Sequence, residues 1–519
     1  MPQRVFLDAM IPREDFSVTE QEFELDLKRE LSINDVAPGS AISKVLRKPD
    51  FQRETNHWTP EQVLSFIASF LDNEVIPSLI LWKSPSFIFV IDGGHRLSAL
   101  RAWVEDDYGD GHLSMAFYKG EISDEQRKIA KRTRNLVEQK IGRYTKLQQA
   151  VSSQVTLDAV QAKRAGRLVT RILALQWIQG NAEVAETSFY KINSQGTPLD
   201  ATEEMLIRNR RKPIAIAARA ILRSGTGHKY WSAFDEARVD EIEMLSRQAY
   251  ELLFEPESST PLRTLDVSFG GPVSPVDALS LLIEFLTIAG ERSAQPLTLA
   301  RSNEDKIGDA TISVLKKALE VLNKITGNSP GSLGLHPAIY FYNERGKYSR
   351  FLFLGMVTLL TEKIRNNDSH FFKKFSKSRT HVERFLVENK ATITLLLQNM
   401  SKGQRVPQMH SLFGFLISST SDTGHAPSVE AAMNALGLQG RILDLTTSRA
   451  SLHFSDETKS QLFIETATKS ALKCSICDGY LQPTKSISYD HKVRVRDGGN
   501  GHASNGQLVH PYCNTSVKS

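Results

Sequence analysis

All three cysteines of this 519-residue chain lie within its last forty-six residues. Cys474 and Cys477 stand as C-x2-C, and Cys513 closes H-x2-C with His510. Two short-spaced pairs of soft ligands, separated by a loop, meet the needs of a tetrahedral zinc ion, because each pair bites the metal while the chain between stays free. A terminal segment this short buries little core of its own, so metal is expected to help it fold. With every cysteine assigned to metal, none is left for a disulfide, and a reducing cytoplasm is the expected location.

Between and beside these pairs runs YDHKVRVRDGGNGHASNGQLVHPYCN, which holds Asp490, His491, Asn505 and Asn514. The order C-x2-C, D-H, G-G, N, then H-x2-C-N closely resembles the zinc-stapled HNH nucleases of the ββα-metal class. The resemblance implies two strands with His491 at the end of the first, a loop bearing Asn505, and a helix beginning near His510. It also implies that Asp490 and Asn514 hold one catalytic Mg²⁺ or Mn²⁺, that His491 deprotonates the attacking water, and that Asn505 braces the loop orienting His491. Such roles suit phosphodiester hydrolysis, which needs a positioned base and a hard cation at the leaving oxygen. Oxygen ligands select magnesium whereas thiolates select zinc. Arg494 stands where the family usually has proline, and Lys518 lies one residue later than the usual N-x2-K. A structural ribbon that binds DNA or protein without cutting is the competing reading of the four zinc ligands.

Near the front, SFIFVIDGGHRLSALRAWVEDD joins an apolar run, Phe87 to Ile91, to a stretch with Leu97, Leu100 and Trp103 at helical spacing. Asp92, Gly93, Gly94, His95 and Arg96 therefore fall on a strand-to-helix turn. Such a turn offers backbone N–H groups and a helix dipole to an anion, glycines allow close approach, and Arg96 can add a guanidinium fork. The plain alternative is a tight turn in which Arg96 pairs with a neighbouring carboxylate. Together with QRETNHW, which holds Gln52, Arg53 and Trp58, and FYKINSQGTPL, which holds Asn193, this turn resembles the N-terminal domain of GmrSD-type restriction enzymes, within the ParB/sulfiredoxin superfamily. The resemblance implies a bound nucleoside triphosphate, with Asp92 and Arg96 as the functional pair. Gly94 stands where sulfiredoxins carry cysteine, which excludes sulfinic-acid repair, and His95 stands where the GmrSD group often has Gln or Glu.

FYKINSQGTPL reads as a loop turning at Gln195 to Pro198, and EQEFELDLKRELSI as a helix. Residues 200 to 455 read as mostly helical, with candidate helices at Glu203 to Arg223, Asp235 to Phe254, Val276 to Gly290, Glu304 to Thr326, Phe351 to Ile364, Phe371 to Met400 and Val429 to Leu436. Net charge is +5, so distribution matters more than the total. One basic stretch runs from Arg127 to Lys146. A second, with Lys363, Arg365, Lys373, Lys374, Lys377, Arg379, Arg384 and Lys390, interleaves with Phe371, Phe372 and Phe375. Each is either a DNA phosphate track or a solvated helix face, and the phenylalanines fit core better than base-stacking platforms. The N-terminus has no apolar signal region, and no run approaches the roughly twenty apolar residues of a membrane span.

The expected architecture is α+β: an extension over 1–40, a ParB/GmrSD-like nucleotide-binding domain over 41–210, a helical connecting domain over 211–455 and an HNH module over 456–519. The expected function is a nucleotide-regulated DNA endonuclease, with Zn²⁺ as staple, serving bacterial antiviral restriction of foreign or modified DNA. A nucleotide-switched DNA-binding protein with a zinc tail, or an RNA-directed toxin, are the alternatives, and a homo-oligomer is left open.

Overall fold

The computed structural model describes residues 4–14, 16, 27–49, 52, 58–118, 120, 122–152, 158–195, 201–224, 231, 234–256, 258, 260–271, 275–290, 299, 301–438 and 454–517. The chain divides into two compact units, Met1–Arg210 with Thr226–Tyr230, and Arg211–Gly225 with Trp231–Ser519. The whole is α+β, mostly helical, and no helix among the described residues is long and apolar enough to cross a membrane.

The first unit is built on a six-stranded sheet ordered β1-β3-β5-β4-β6-β2. Its strands are β1 (Arg13–Glu14), β2 (Glu30–Ser32), β3 (Leu46–Pro49), β4 (Leu79–Lys83), β5 (Ile88–Asp92) and β6 (Ile172–Ile178). Among the longer helices are α1 (Pro60–Leu71), α2 (Gly94–Glu105), α3 (Asp124–Lys140), α4 (Ala159–Thr170) and α5 (Ala182–Gln195). Apolar side chains alternate along β5 with a period of two. Ile88 and Val90 join one core with Val63, Ile67, Leu97 and Leu100, while Phe89 and Ile91 join another with Trp82, Ala185 and Phe189. Both faces are covered, which is why Phe87 to Ile91 reads as a continuous apolar run. Residues near the N-terminus belong to the same core: Val5, Leu7, Met10 and Ile11 are buried, and β1 pairs in parallel with β3.

Two stretches of this unit differ from the sequence reading. Glu30–Ser32, expected within a helix, pairs antiparallel with β6, because Leu31 is needed to close the sheet's edge over the core. Phe189 to Gln195, expected in a loop, is the last half of α5. Ala182, Ala185, Phe189 and Ile192 recur at helical spacing and pack on β5, which outweighs the turn signals of the segment. The turn at Gly196 to Pro198 lies outside the described residues.

The second unit contains the helices α6 (Pro213–Leu222), α7 (Glu236–Phe254), α8 (Pro275–Gly290), α9 (Asp309–Ile325), α10 (Arg350–Arg365), α11 (Ser369–Glu388) and α12 (Lys402–Thr423) among others, and the hairpin β7 (Ser488–His491) and β8 (Gly506–Val509). The expected helix from Glu203 breaks before Pro213, which instead occupies the first turn of α6. The expected helix to Met400 breaks at Asn389. α12, which the sequence reading missed, carries Pro407 inside it and is held by buried Met409, Leu412, Phe413 and Leu416 against α10 and α11.

Two cations expected on the second basic surface are structural. Arg379 is buried against Glu383 at 2.7 Å and donates to the carbonyls of Leu333 and Gly334. Lys390 is buried and donates to the carbonyls of Ala338, Ile339 and Tyr342. Phe371, Phe372 and Phe375 are core. Removing Arg379 leaves a buried carboxylate without its partner, so Arg379→Ala should lose about 3–5 kcal/mol in a urea melt. A loss near zero would show that the pair does not hold these loops.

Candidate metal centre and phosphate-binding turn

Cys474, Cys477, His510 and Cys513 converge with their ligand atoms all within 4.8 Å of one another. The first pair sits in a knuckle: Asp478 N donates to Cys474 O, Cys474 N donates to Gly479 O, and Ile476 N approaches Cys474 Sγ at 3.5 Å. His510 Nδ1 lies 3.3 Å from Cys477 Sγ and 3.9 Å from Cys513 Sγ. The other ring nitrogen, Nε2, is 2.9 Å from Tyr480 O, which can only accept, so the proton belongs on Nε2 and the Nδ1 lone pair faces the thiols.

Three thiols this close cannot all ionise unaided. Hydrogen bonds from Cys477 and Cys513 hold Cys474 as the thiolate. That thiolate in turn pushes Cys477 up to about 12 and Cys513 further up. Burial keeps His510 neutral. A dication held there would supply the missing charge and displace the protons. The donor set is closed and sulfur-rich, which fits a metal such as zinc.

β7 and β8 pair antiparallel with Asp490 opposite Gln507 and His491 opposite Gly506. Gln507 Nε2 donates to Asp490 Oδ2 at 2.7 Å. Alternate residues of a strand share a face, so Ser488 and Asp490 point the same way. Asn514 Nδ2 donates to Ser488 Oγ at 2.8 Å, which brings Asn514 to that face from the short helical segment Cys513–Val517. Asn505 ties down the loop after His491: its side chain accepts from Val493 N and donates to the carbonyls of Val493 and Asn500, while Asn505 O accepts from Lys492 N. The same loop needs Gly499, since a Cβ there would lie 1.8 Å from Val493 O. Ser488 and Gln507 were not picked out from sequence. Only the strand register puts Gln507 opposite Asp490, and neither residue type marks a site by itself.

The knuckle and the segment around Cys513 are fastened to a helix and a loop of their own unit. Tyr480 N donates to Glu383 Oε2 at 2.7 Å, Tyr512 N to Ser332 O at 2.9 Å and Thr515 Oγ1 to Pro330 O at 2.6 Å. Gly334, at φ +59°, lets the loop pass beside His510, whose Cδ2 would stand 3.0 Å from a Cβ.

In the first unit, β1, β3 and β5 run parallel, and their carboxyl ends give way to Glu14, Gln52 and the turn after Asp92. Ligands of such sheets bind beyond the carboxyl ends of the strands. Gly93 caps α2 at φ +94°, and a Cβ there would lie 2.3 Å from Leu79 Cδ2, so only glycine fits. The side chain of Gln52 lies over Gly94, and its buried Oε1 has no hydrogen-bond partner among the described residues. The main-chain carbonyl of Gln52 accepts from Arg13, which with Lys48 is paired to buried Asp8. His95 stacks on Trp58 with ring centroids 5.7 Å apart. Arg96 spends its guanidinium within the turn, pairing with Asp92 at 2.6 Å and donating to Pro77 O and Ser78 O. The pairing with a neighbouring carboxylate is thus what this geometry holds, and Arg96 acts as a latch across the turn. Arg53 lies outside the described residues, as does the side chain of Asn193, whose backbone is in α5.

The first basic stretch is partly neutralised. Arg134 is clamped by Asp106 and Asp110, Arg132 pairs with Glu61, and Arg143 with Glu138.

Residues 34–211 match the family model described as the N-terminal domain of the GmrSD restriction endonuclease, about a third of the chain, and the matched span contains the turn, Gln52 and β3 to β6. The front of the chain is therefore similar to that restriction-enzyme domain. No curated protein and no solved structure matches the chain. On the ligand count, purified protein should carry about one zinc per chain, and Cys477→Ser should lose it together with thermal stability. A variant that keeps full metal and full stability would overturn the assignment.

Proposed function

We infer that the chain is a metal-dependent DNA endonuclease of the restriction type, acting in the bacterial cytoplasm, whose front domain reads a nucleoside triphosphate and licenses the C-terminal module to cut. The observation that carries this reading is that Asn514, next to the Cys/His cluster, bonds Ser488 on the face of β7 to which Asp490 belongs, with His491 following Asp490 at the strand's end. The similarity of residues 34–211 to a restriction-endonuclease domain supports it independently, and supports DNA as the partner.

In this reading Asp490 and Asn514 hold a Mg²⁺ or Mn²⁺ through oxygen, and His491 takes the proton from the attacking water. Bound there, the ion would neutralise charge developing on the leaving oxygen. Gln507 holds the Asp490 carboxylate in place, and Asn505 stiffens the loop behind His491. The zinc ion is a staple: Asn514 follows Cys513 directly, so the cluster sets where that ligand points. A ribbon that merely bound DNA would have no use for a carboxylate, an imidazole and an amide in this arrangement.

At the front, a nucleotide phosphate would lie over Gly93 and Gly94 against the N-terminus of α2. The first intrahelical bond runs from Leu97 N to Gly93 O, so the N–H groups before it have no acceptor within the helix. The Gln52 amide beside Gly94 would accept from the nucleotide, while Arg96 and Asp92 keep the turn shut around it.

Plasmid cleavage tests both halves. His491→Ala should cut about 10²–10⁴ slower while still binding DNA and zinc. Equal rates would contradict the nuclease reading. Arg96→Ala should abolish the effect of nucleoside triphosphate on cutting, and an undiminished effect would leave the turn with a structural role only.

A further inference from the structure

The second unit holds a cavity of about 470 Å³ between the C-terminal end of α9, the loop that follows it and the N-terminal end of α11. Asn323, Lys324, Ser329, Asn367 and Ser369 line it, over a floor that includes Phe372. Lys324 is the member that calls for a partner. Its Nζ lies 3.9 Å from the centroid of the Phe372 ring and 4.6 Å from that of Tyr512. Burial alone lowers its ammonium to about 8, with no attraction from an acid to offset it. Glu320, one turn earlier on α9, shares the lining without supplying that offset.

Ring faces compensate an ammonium only in part, and a half-buried cation facing a polar cavity is better satisfied when an anion enters. The two amides and two hydroxyls around Lys324 supply donors for the oxygens of such an anion. The cavity's position narrows the choice. The loop that lends it Ser329 and Gly331 is also the brace for the segment bearing Asn514, since Pro330 O accepts from Thr515 and Ser332 O from Tyr512. The ring of Tyr512, which flanks Lys324, belongs to the residue just before Cys513.

We propose that this cavity seats a backbone phosphate of the DNA strand presented to Asp490 and Asn514, with Lys324 as its counter-ion. The cavity thereby fixes the path of the strand outside the reacting group, and it acts on affinity for all sequences alike. The identity of the strand rests on the nuclease reading; the anion site rests on the cavity itself.

The test uses the full zinc-loaded chain carrying His491→Ala, so that DNA is bound without being cut. Adding Lys324→Met keeps the apolar stem on Phe372 and Tyr512 but removes the charge. Binding of duplex DNA should weaken equally for unrelated sequences, and the slope of log affinity against log salt should fall by about one; Lys324→Arg should restore most of it. An unchanged affinity and slope would overturn the proposal. Acetylation of Lys324 in the parent chain gives a readout that does not depend on the variant folding. Duplex DNA should protect it. Absence of protection by duplex would overturn the proposal, and so would protection by inorganic phosphate or a nucleoside triphosphate alone, which would make this a site for a small anion. Cleavage failing in the wild type while duplex still protects Lys324 would remove the nuclease reading and leave the phosphate site standing.

Discussion

Three thiols and an imidazole packed within 4.8 Å cannot give up all three thiol protons without a cation among them. One thiolate is held ionised, its neighbours are driven to hold their protons, and the imidazole is kept neutral by burial. A metal such as zinc would resolve this conflict, and the place of the cluster bears on the rest of the module. Cys513 starts the helical segment whose next residue is Asn514, and His510 closes β8. A metal held there would set the angle between the hairpin and that segment, and with it where Asn514 stands relative to Asp490. Metal and helices act together, because Glu383 receives Tyr480 N while Arg379 holds the loop passing beside His510.

The front unit solves a different problem by similar means. The shape of the turn after β5 is enforced from several sides. Gly93 is the only residue that fits between Leu79 and Arg96. Arg96 ties Asp92 to the chain entering β4, and Gln52 lies over Gly94. A guanidinium expected to reach a phosphate is instead occupied in holding the turn. The same shift from ligand to latch recurs at Arg134, Arg379 and Lys390, whose charges are consumed by carboxylates or carbonyls.

How much of this could be read from sequence follows from the range of the forces involved. The Cys/His cluster was legible because C-x2-C and H-x2-C are local patterns that bring soft ligands together, and β5 with its turn was legible because strand and helix periodicity meet there within ten residues. Gln507 beside Asp490 was not, since the pairing depends on strand register across a long loop. The tail of α5 was misread because loop-forming residues were weighed without the β5 face on which Phe189 packs. α12 was missed because Pro407 is a breaker in isolation, yet buried Met409 to Ile417 hold the helix around it. Lys324 could not stand out at all. Its significance lies in what surrounds it in space, and nothing adjacent in sequence shows two aromatic rings.

The most direct test of the central claim is a titration of plasmid cleavage against Mg²⁺ concentration for the zinc-loaded wild type and for Asn514→Ala. The wild type should cut only when Mg²⁺ or Mn²⁺ is added, and Asn514→Ala should shift the midpoint to higher metal so that its defect is partly recovered at saturation. Cutting that is indifferent to the dication, or identical midpoints for the two proteins, would contradict it.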